Sequence, residues 1–172
     1  MTASISPLRI TWPWPRSRPH ITAEPRPLAC GAIVGGGSEE QVEALRGFGM
    51  KTGLAFQIQD DLLNLIGKAE ANNKDFRSDI TEGKRTLVAV HALSDARRHD
   101  ELVDLLHAGT TDPAELQRAV DLFEETGSIE YARQYALDLI ADAKQILADI
   151  ELEPVSRELL LNMADFFVER LN

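Results

Sequence analysis

Two adjacent carboxylates, Asp60 and Asp61, stand in a run that is otherwise apolar, GLAFQIQDDLLNLIG over residues 53–67. At helical spacing Gln57, Asp60, Asp61 and Asn64 fall at i, i+3, i+4 and i+7 and share one narrow stripe. Leu54, Ala55, Phe56, Ile58, Leu62, Leu63, Leu65 and Ile66 make the helix apolar almost everywhere else, as in the interior of a bundle. Carboxylates in such a place need compensation, and no lysine or arginine lies within one turn of either. A divalent cation would supply it. Oxygen-only donors on one helix face suit Mg²⁺, which keeps several waters and shares its remaining positions with substrate phosphates.

The matching cations follow at once. Lys74, Asp75, Arg77, Asp79, Glu82, Lys84 and Arg85 crowd a short connection before a second apolar run that starts near Thr86. Lys74 and Lys84 can act as point charges on phosphate oxygens, and Arg77 and Arg85 can grip them in bidentate fashion. Asp79 is a candidate for the outer shell of the metal. Either feature alone would read as solvated surface. Together they describe a metal and a phosphate ester held side by side.

The elements that must position these groups are helical. Ser38 is a good N-cap with Glu39 and Glu40 behind it, and Val42, Leu45 and Phe48 lead into the aspartate helix. Gly35, Gly36 and Gly37 before it lack the Gly-Lys-Ser/Thr ending of a phosphate loop and are expected to be a plain connection. Leu102, Val103, Leu105 and Leu106 mark a short helix closed by Gly109. Asp112-Pro113 opens another that ends at Gly127. Ser128 is expected to cap a long helix through Ile150, and a last one follows Pro154 with Leu159, Leu160, Met163, Phe166, Phe167 and Leu171 as its apolar set. No stretch alternates like a half-buried strand. The expected architecture is an all-α helical bundle.

Composition narrows the function classes. A net charge of −10 over 172 residues argues against a general nucleic-acid or anionic-membrane binder, since either needs a basic face. Cys30 is the only cysteine, so there is no disulfide framework or cysteine-based zinc site, and a cytoplasmic location is expected. No apolar run approaches the ~20 residues of a membrane span. Residues 1–28 differ from the rest: they hold six of the eight prolines, both tryptophans and a net charge of +3, against −13 for the remainder. The prolines there would break a helix, so this segment is expected to be a disordered or artefactual leader, and residues 29–172 the helical domain. His91, His99 and His107 are eight apart, which is no ligand spacing on one helix, and solvated or capping roles are expected; Tyr131 and Tyr135 are expected to pack.

At the aspartates a family resemblance becomes specific. Phe56-Gln57-Ile58-Gln59-Asp60-Asp61-Leu62-Leu63-Asn64 resembles the second aspartate-rich motif of the trans-isoprenyl diphosphate synthases, in its geranylgeranyl-type form with Asn64 at the end. Lys74-Asp75-Phe76-Arg77-Ser78-Asp79-Ile80-Thr81-Glu82-Gly83-Lys84-Arg85-Thr86-Leu87 resembles the basic segment that follows it. Gly127-Ser128-Ile129-Glu130-Tyr131-Ala132-Arg133 is similar to a later segment of that family, and Gly31-Ala32-Ile33 to a helix end upstream. The resemblance implies part of the isoprenoid-synthase fold and a Mg²⁺-dependent prenyltransferase that condenses an allylic diphosphate with isopentenyl diphosphate. It implies that Asp60 holds Mg²⁺ with Asp61 beside it, and that Asp79 reaches the ion through water. Lys74 and Lys84 would then bind the leaving diphosphate, and Phe56 and Gln57 would line the floor where the reacting carbons meet.

The departures are as informative. Asp60-Asp61 is the only Asp-Asp pair in the sequence, so the first aspartate-rich motif that the resemblance calls for is missing. So is a Lys-Thr pair before Gly31; Lys51-Thr52 does not match that position. These residues are therefore expected to form the later, metal-binding half of such a synthase, inactive alone but able to bind pyrophosphate. The alternatives are a non-catalytic helical subunit that partners a complete synthase, and a helical interaction domain with charged surface only. Apolar faces left uncovered would favour a homodimer or association with a full-length synthase.

Overall fold

A computed structural model describes residues 25–67 and 76–168 of the chain. Its axis is α2, Glu39–Ile66, a helix of 28 residues. The start is fixed by a capping box: Ser38 Oγ accepts from the Gln41 N–H at 3.2 Å, and the Gln41 side chain accepts from the Ser38 N–H at 2.9 Å. Leu45, Phe48, Thr52, Ala55, Ile58, Gln59, Leu62 and Leu65 recur at three- and four-residue steps and are buried. The Gly67 N–H closes the last turn on the Leu63 carbonyl.

Helix α7, Ser128–Ala148, packs along α2 in the most extensive helix–helix contact of the fold. It buries Ala132, Ala136, Ile140, Ala143 and Leu147, and the three alanines let the two backbones approach closely. An ion pair from Lys51 to Asp142 at 2.8 Å fixes the register of the pair. Thr52 beside it turns inward and donates to the Phe48 carbonyl, so Lys51-Thr52 serves the α2–α7 packing. Helix α8, Pro154–Val168, lies against α7 and α2, tied by Lys144 to Asp165. Helix α1, Pro25–Val34, covers another side of α2.

The remaining helices close the far end: α3 (Ser78–Thr81), α4 (Leu87–Ala92), α5 (His99–Ala108) and α6 (Pro113–Glu125). The described residues form only helices and connections, as the sequence pattern predicts. None of these helices is long and apolar enough to cross a membrane. Arg98 and Arg118 hold α5 to α6 through Glu101 and Glu125, with the Arg118–Glu101 contact at 2.6 Å.

Three local expectations change. The sequence pattern places the start of the helical domain at residue 29, whereas α1 begins at Pro25. Prolines in a first turn are tolerated because the N–H groups there have no intrahelical partner. The rest of the leader, residues 1–24, lies outside the described residues, as does Leu171 at the other end. Ser128 does not cap α7: Gly127, left-handed at φ 68°, takes the cap position. The Ser128 hydroxyl is fully buried and pairs with His91 Nδ1 at 2.8 Å and Thr126 Oγ1 at 2.7 Å. His91 is thus packed against its neighbours, stacked on Tyr131 with centroids 4.1 Å apart, and Tyr131 stacks in turn on Tyr135. Lastly, the charged connection contains a helical turn, α3, that no apolar period announces.

That turn is followed by a position where only glycine fits. Gly83 has φ +58°, and a Cβ there would sit 2.8 Å from the Leu106 carbonyl oxygen. Gly83→Ala should cost at least about 2 kcal/mol, from left-handed strain plus the backbone clash. Gly109→Ala makes the control: φ is +60°, but the nearest atom is 3.6 Å away. Thermal melts should show a clearly larger loss at Gly83. Equal losses would mean that the Leu106 contact costs nothing.

Candidate functional site

The carboxylates of α2 do not share one environment. Asp60 is exposed, against the expectation of a buried pair, because α2 turns that edge outward. Asp61 is half-buried and accepts from Gln57 Nε2 at 2.9 Å, one turn back on the same helix. Burial pushes the Asp61 carboxyl up to about 7; the Gln57 hydrogen bond opposes this, the charges of Asp79 and Asp60 add to it, and Lys84 relieves part of it. Asp61 is therefore a carboxyl short of positive charge, set among other carboxylates.

The connection after α2 folds back to supply that neighbourhood. Asn64 reaches across to it: its Nδ2 donates to Ser78 Oγ at 3.1 Å, and its Oδ1 accepts from the Asp79 N–H at 3.2 Å. Asp79, only 6% exposed, accepts from Lys84 Nζ, and Glu82 also pairs with Lys84 at 3.2 Å. Burial pulls the Lys84 ammonium down, but the bonds and charges of Asp79 and Glu82 outweigh it and leave it raised. Lys84 is accordingly cationic. Asp79 and Lys84, which the sequence offers as a separate metal ligand and phosphate ligand, meet as a preassembled ion pair.

Arg77 goes elsewhere. It is left-handed at φ 58°, the only such non-glycine among the described residues, and its guanidinium donates to Gln117 Oε1 at 2.7 Å and to the Leu65 carbonyl at 3.4 Å. It also lies over the Phe76 ring, 4.7 Å from the centroid. Those contacts tie α2, the connection and α6 together. Arg85 is exposed. Lys74 lies outside the described residues.

Phe56, 42% exposed, packs on Phe167 of α8 with centroids 5.1 Å apart. Phe167 is thus a neighbour of the site that the sequence shows only as one more apolar position in the last helix. Gln57 is committed to Asp61. Among the described residues no three His, Cys, Asp or Glu side chains form a ready-made metal cage. The donor set nonetheless fits a hard cation: all-oxygen ligands, an excess of carboxylate around Asp61, and a lysine at hand for an anion. The concave surface bounded by Asp95, Arg97, Arg98 and Glu125 offers no comparable set, since its charges are spent on one another.

Comparison with known proteins places the chain in a family. A family model described as Polyprenyl synthetase matches residues 25–123. The chain is 43% identical over 141 residues to the geranylfarnesyl diphosphate synthase of Natronomonas pharaonis, covering 81% of this chain and 39% of that protein. It is 43% identical over 142 residues to the short chain isoprenyl diphosphate synthase of Methanothermobacter thermautotrophicus, covering 81% and 43%. Among solved structures, the geranylgeranyl pyrophosphate synthase of Corynebacterium glutamicum, complexed with isoprenyl diphosphate and magnesium, superposes with a TM-score of 0.76 at 31% identity. That match covers 86% of this chain and 42% of the other. The chain thus spans about two fifths of the length of the curated relatives it matches.

Proposed function

The chain belongs to the polyprenyl synthetase family, and from that premise we propose that its α2–α4 region is the leaving-diphosphate side of a trans-prenyl transfer site. The substrates are an allylic diphosphate and isopentenyl diphosphate, in the geranylgeranyl-type branch of isoprenoid synthesis. The observation that carries the reading is the Asp61 neighbourhood: a half-buried carboxyl with Asp60 and Asp79 beside it and a paired lysine at its edge.

The residues divide as follows. Asp60 and Asp61 would hold Mg²⁺, with Asp79 in its outer shell. When bound, the ion would stabilise negative charge developing on the diphosphate as the allylic C–O bond breaks. Gln57 keeps the Asp61 carboxylate oriented through its 2.9 Å hydrogen bond. Lys84 offers its ammonium to the diphosphate oxygens while staying anchored by Asp79, and Lys74 is assigned the same role. Phe56, backed by Phe167, gives an apolar surface on which an allylic chain can lie without solvating the cation that ionisation leaves. Arg77 stiffens the connection that carries Asp79 and Lys84.

With one Asp-Asp pair in its 172 residues, the chain is assigned this side of the site only. These residues assayed alone should bind the diphosphate without forming a prenyl product. A second reading, a helical subunit docked on a complete synthase, is supported by the exposed apolar side chains of Met50, Phe56 and Ile66 along α2. Mixing with such a synthase and measuring complex mass separates the two.

The test is thermal stability of the full chain with Mg²⁺ and pyrophosphate. At about a hundredfold excess over Kd the pair should stabilise by roughly 2.7 kcal/mol, a shift of about 5–10 °C. No shift with both ligands present would refute the assignment.

A further inference from the structure

Asn64 does something that no motif assigns to it. Helix α3 has only four residues, and Arg77 at its N-cap makes no side-chain cap bond. The bond an N-cap would make, a side-chain oxygen accepting the N–H of the second helical residue, comes instead from α2: Asn64 Oδ1 accepts from the Asp79 N–H at 3.2 Å. The other end of the same amide donates to Ser78 Oγ at 3.1 Å, which fixes its orientation. The Asn64 carbonyl also accepts from the Arg77 N–H at 2.9 Å. From α3 the chain of contacts runs on, since the Lys84 N–H donates to the Asp79 carbonyl at 2.8 Å and the Lys84 ammonium to its carboxylate.

We propose that Asn64 is the positioning residue of this site: it caps α3 from the neighbouring helix and thereby holds Asp79 and Lys84 beside Asp61. The inference rests on the diphosphate reading above for its consequence, and on the hydrogen bonds alone for its geometry. Asparagine suits the place because its amide both donates and accepts, and adds no charge to a neighbourhood already holding three carboxylates. Without it the Asp79 N–H is left in a buried position with no acceptor, and a turn too short to stand alone loses its start.

Two measurements on the full chain test this. Amide hydrogen exchange without ligand should accelerate about tenfold at Asp79 and Lys84 in Asn64→Ala, with α6 and α7 unchanged, as expected for loss of a cap worth about 1 kcal/mol or a little more. Calorimetric Kd for pyrophosphate with Mg²⁺ should rise about tenfold in the same variant. Asn64→Asp keeps the accepting oxygen, so exchange at Asp79 and Lys84 should stay within about threefold of the parent, a rescue that mere helix packing would not give. Unchanged exchange at Asp79 and Lys84 in Asn64→Ala would overturn the proposal. So would faster exchange with undiminished pyrophosphate affinity. If Asn64→Ala does not fold, Ser78→Ala, which frees the amide to rotate, should show about threefold effects in both measurements, and no effect there overturns it equally. If the parent chain binds no pyrophosphate, the diphosphate reading fails, while the exchange arm still decides whether Asn64 positions the pair.

Discussion

Lys84→Ala should lower the melting temperature of the ligand-free chain by roughly 5–10 °C and weaken pyrophosphate binding at least about tenfold. Both losses have one cause. The Asp79 side chain is 7% exposed and its partner Lys84 25% exposed, so alanine leaves a carboxylate with little water to replace the ammonium. Breaking a buried pair by removing one member costs about 3–5 kcal/mol, and the partial exposure of Lys84 places this case near the lower end. The same substitution removes the described cation best placed for a diphosphate. Lys84→Arg keeps the charge and should recover most of the stability. Glu124→Ala, an exposed change on α6, should alter neither quantity.

Asp61→Asn should act in the opposite sense on stability. The Asp61 carboxyl sits at about 7 in the fold, raised chiefly by burial from an ordinary 3.8. Between those values the folded chain holds a proton that the unfolded chain has released. Its contribution is therefore fully present below about pH 4, is lost as pH rises through 7, and is flat above. Asparagine removes the penalty, so the variant should match the parent at pH 4 and melt several degrees higher at pH 8, on the order of 2–4 kcal/mol at most. It should also lose its response to Mg²⁺ with pyrophosphate. A residue that weakens the fold at working pH and is needed for ligand is a site residue. If Asp61→Asn melts with the parent at every pH, the carboxylate cluster around it is not as crowded as described.

The long helices were legible because several independent signals agree in each. For α2 these are the Ser38 N-cap with Glu39 and Glu40 behind it, and the apolar positions from Val42 through Ile66. The candidate site can be listed from the sequence, because its residues fall in one stretch from Phe56 to Thr86. Its wiring was not. Nothing in a sequence says that a four-residue turn will form, since α3 has no apolar period and its cap comes from another helix. Nothing says that Asp79 will take Lys84 five residues on, or that Arg77 will turn left-handed and reach Gln117 on α6. Phe167 meets Phe56 across more than a hundred residues of chain, a contact fixed only by how α8 docks. The exposure of Asp60 depends on which edge of α2 its neighbours leave open.

Asp60, Asp61 and Lys84, as the proposed diphosphate side of a prenyl transfer site, require a divalent cation to complete it. Calorimetric titration of pyrophosphate into the full chain, with and without Mg²⁺, decides this. One saturable event is predicted with Mg²⁺, at least about tenfold weaker without it, abolished in Asp60→Ala and preserved in Glu124→Ala. Binding that is indifferent to Mg²⁺, or that survives in Asp60→Ala, would contradict it.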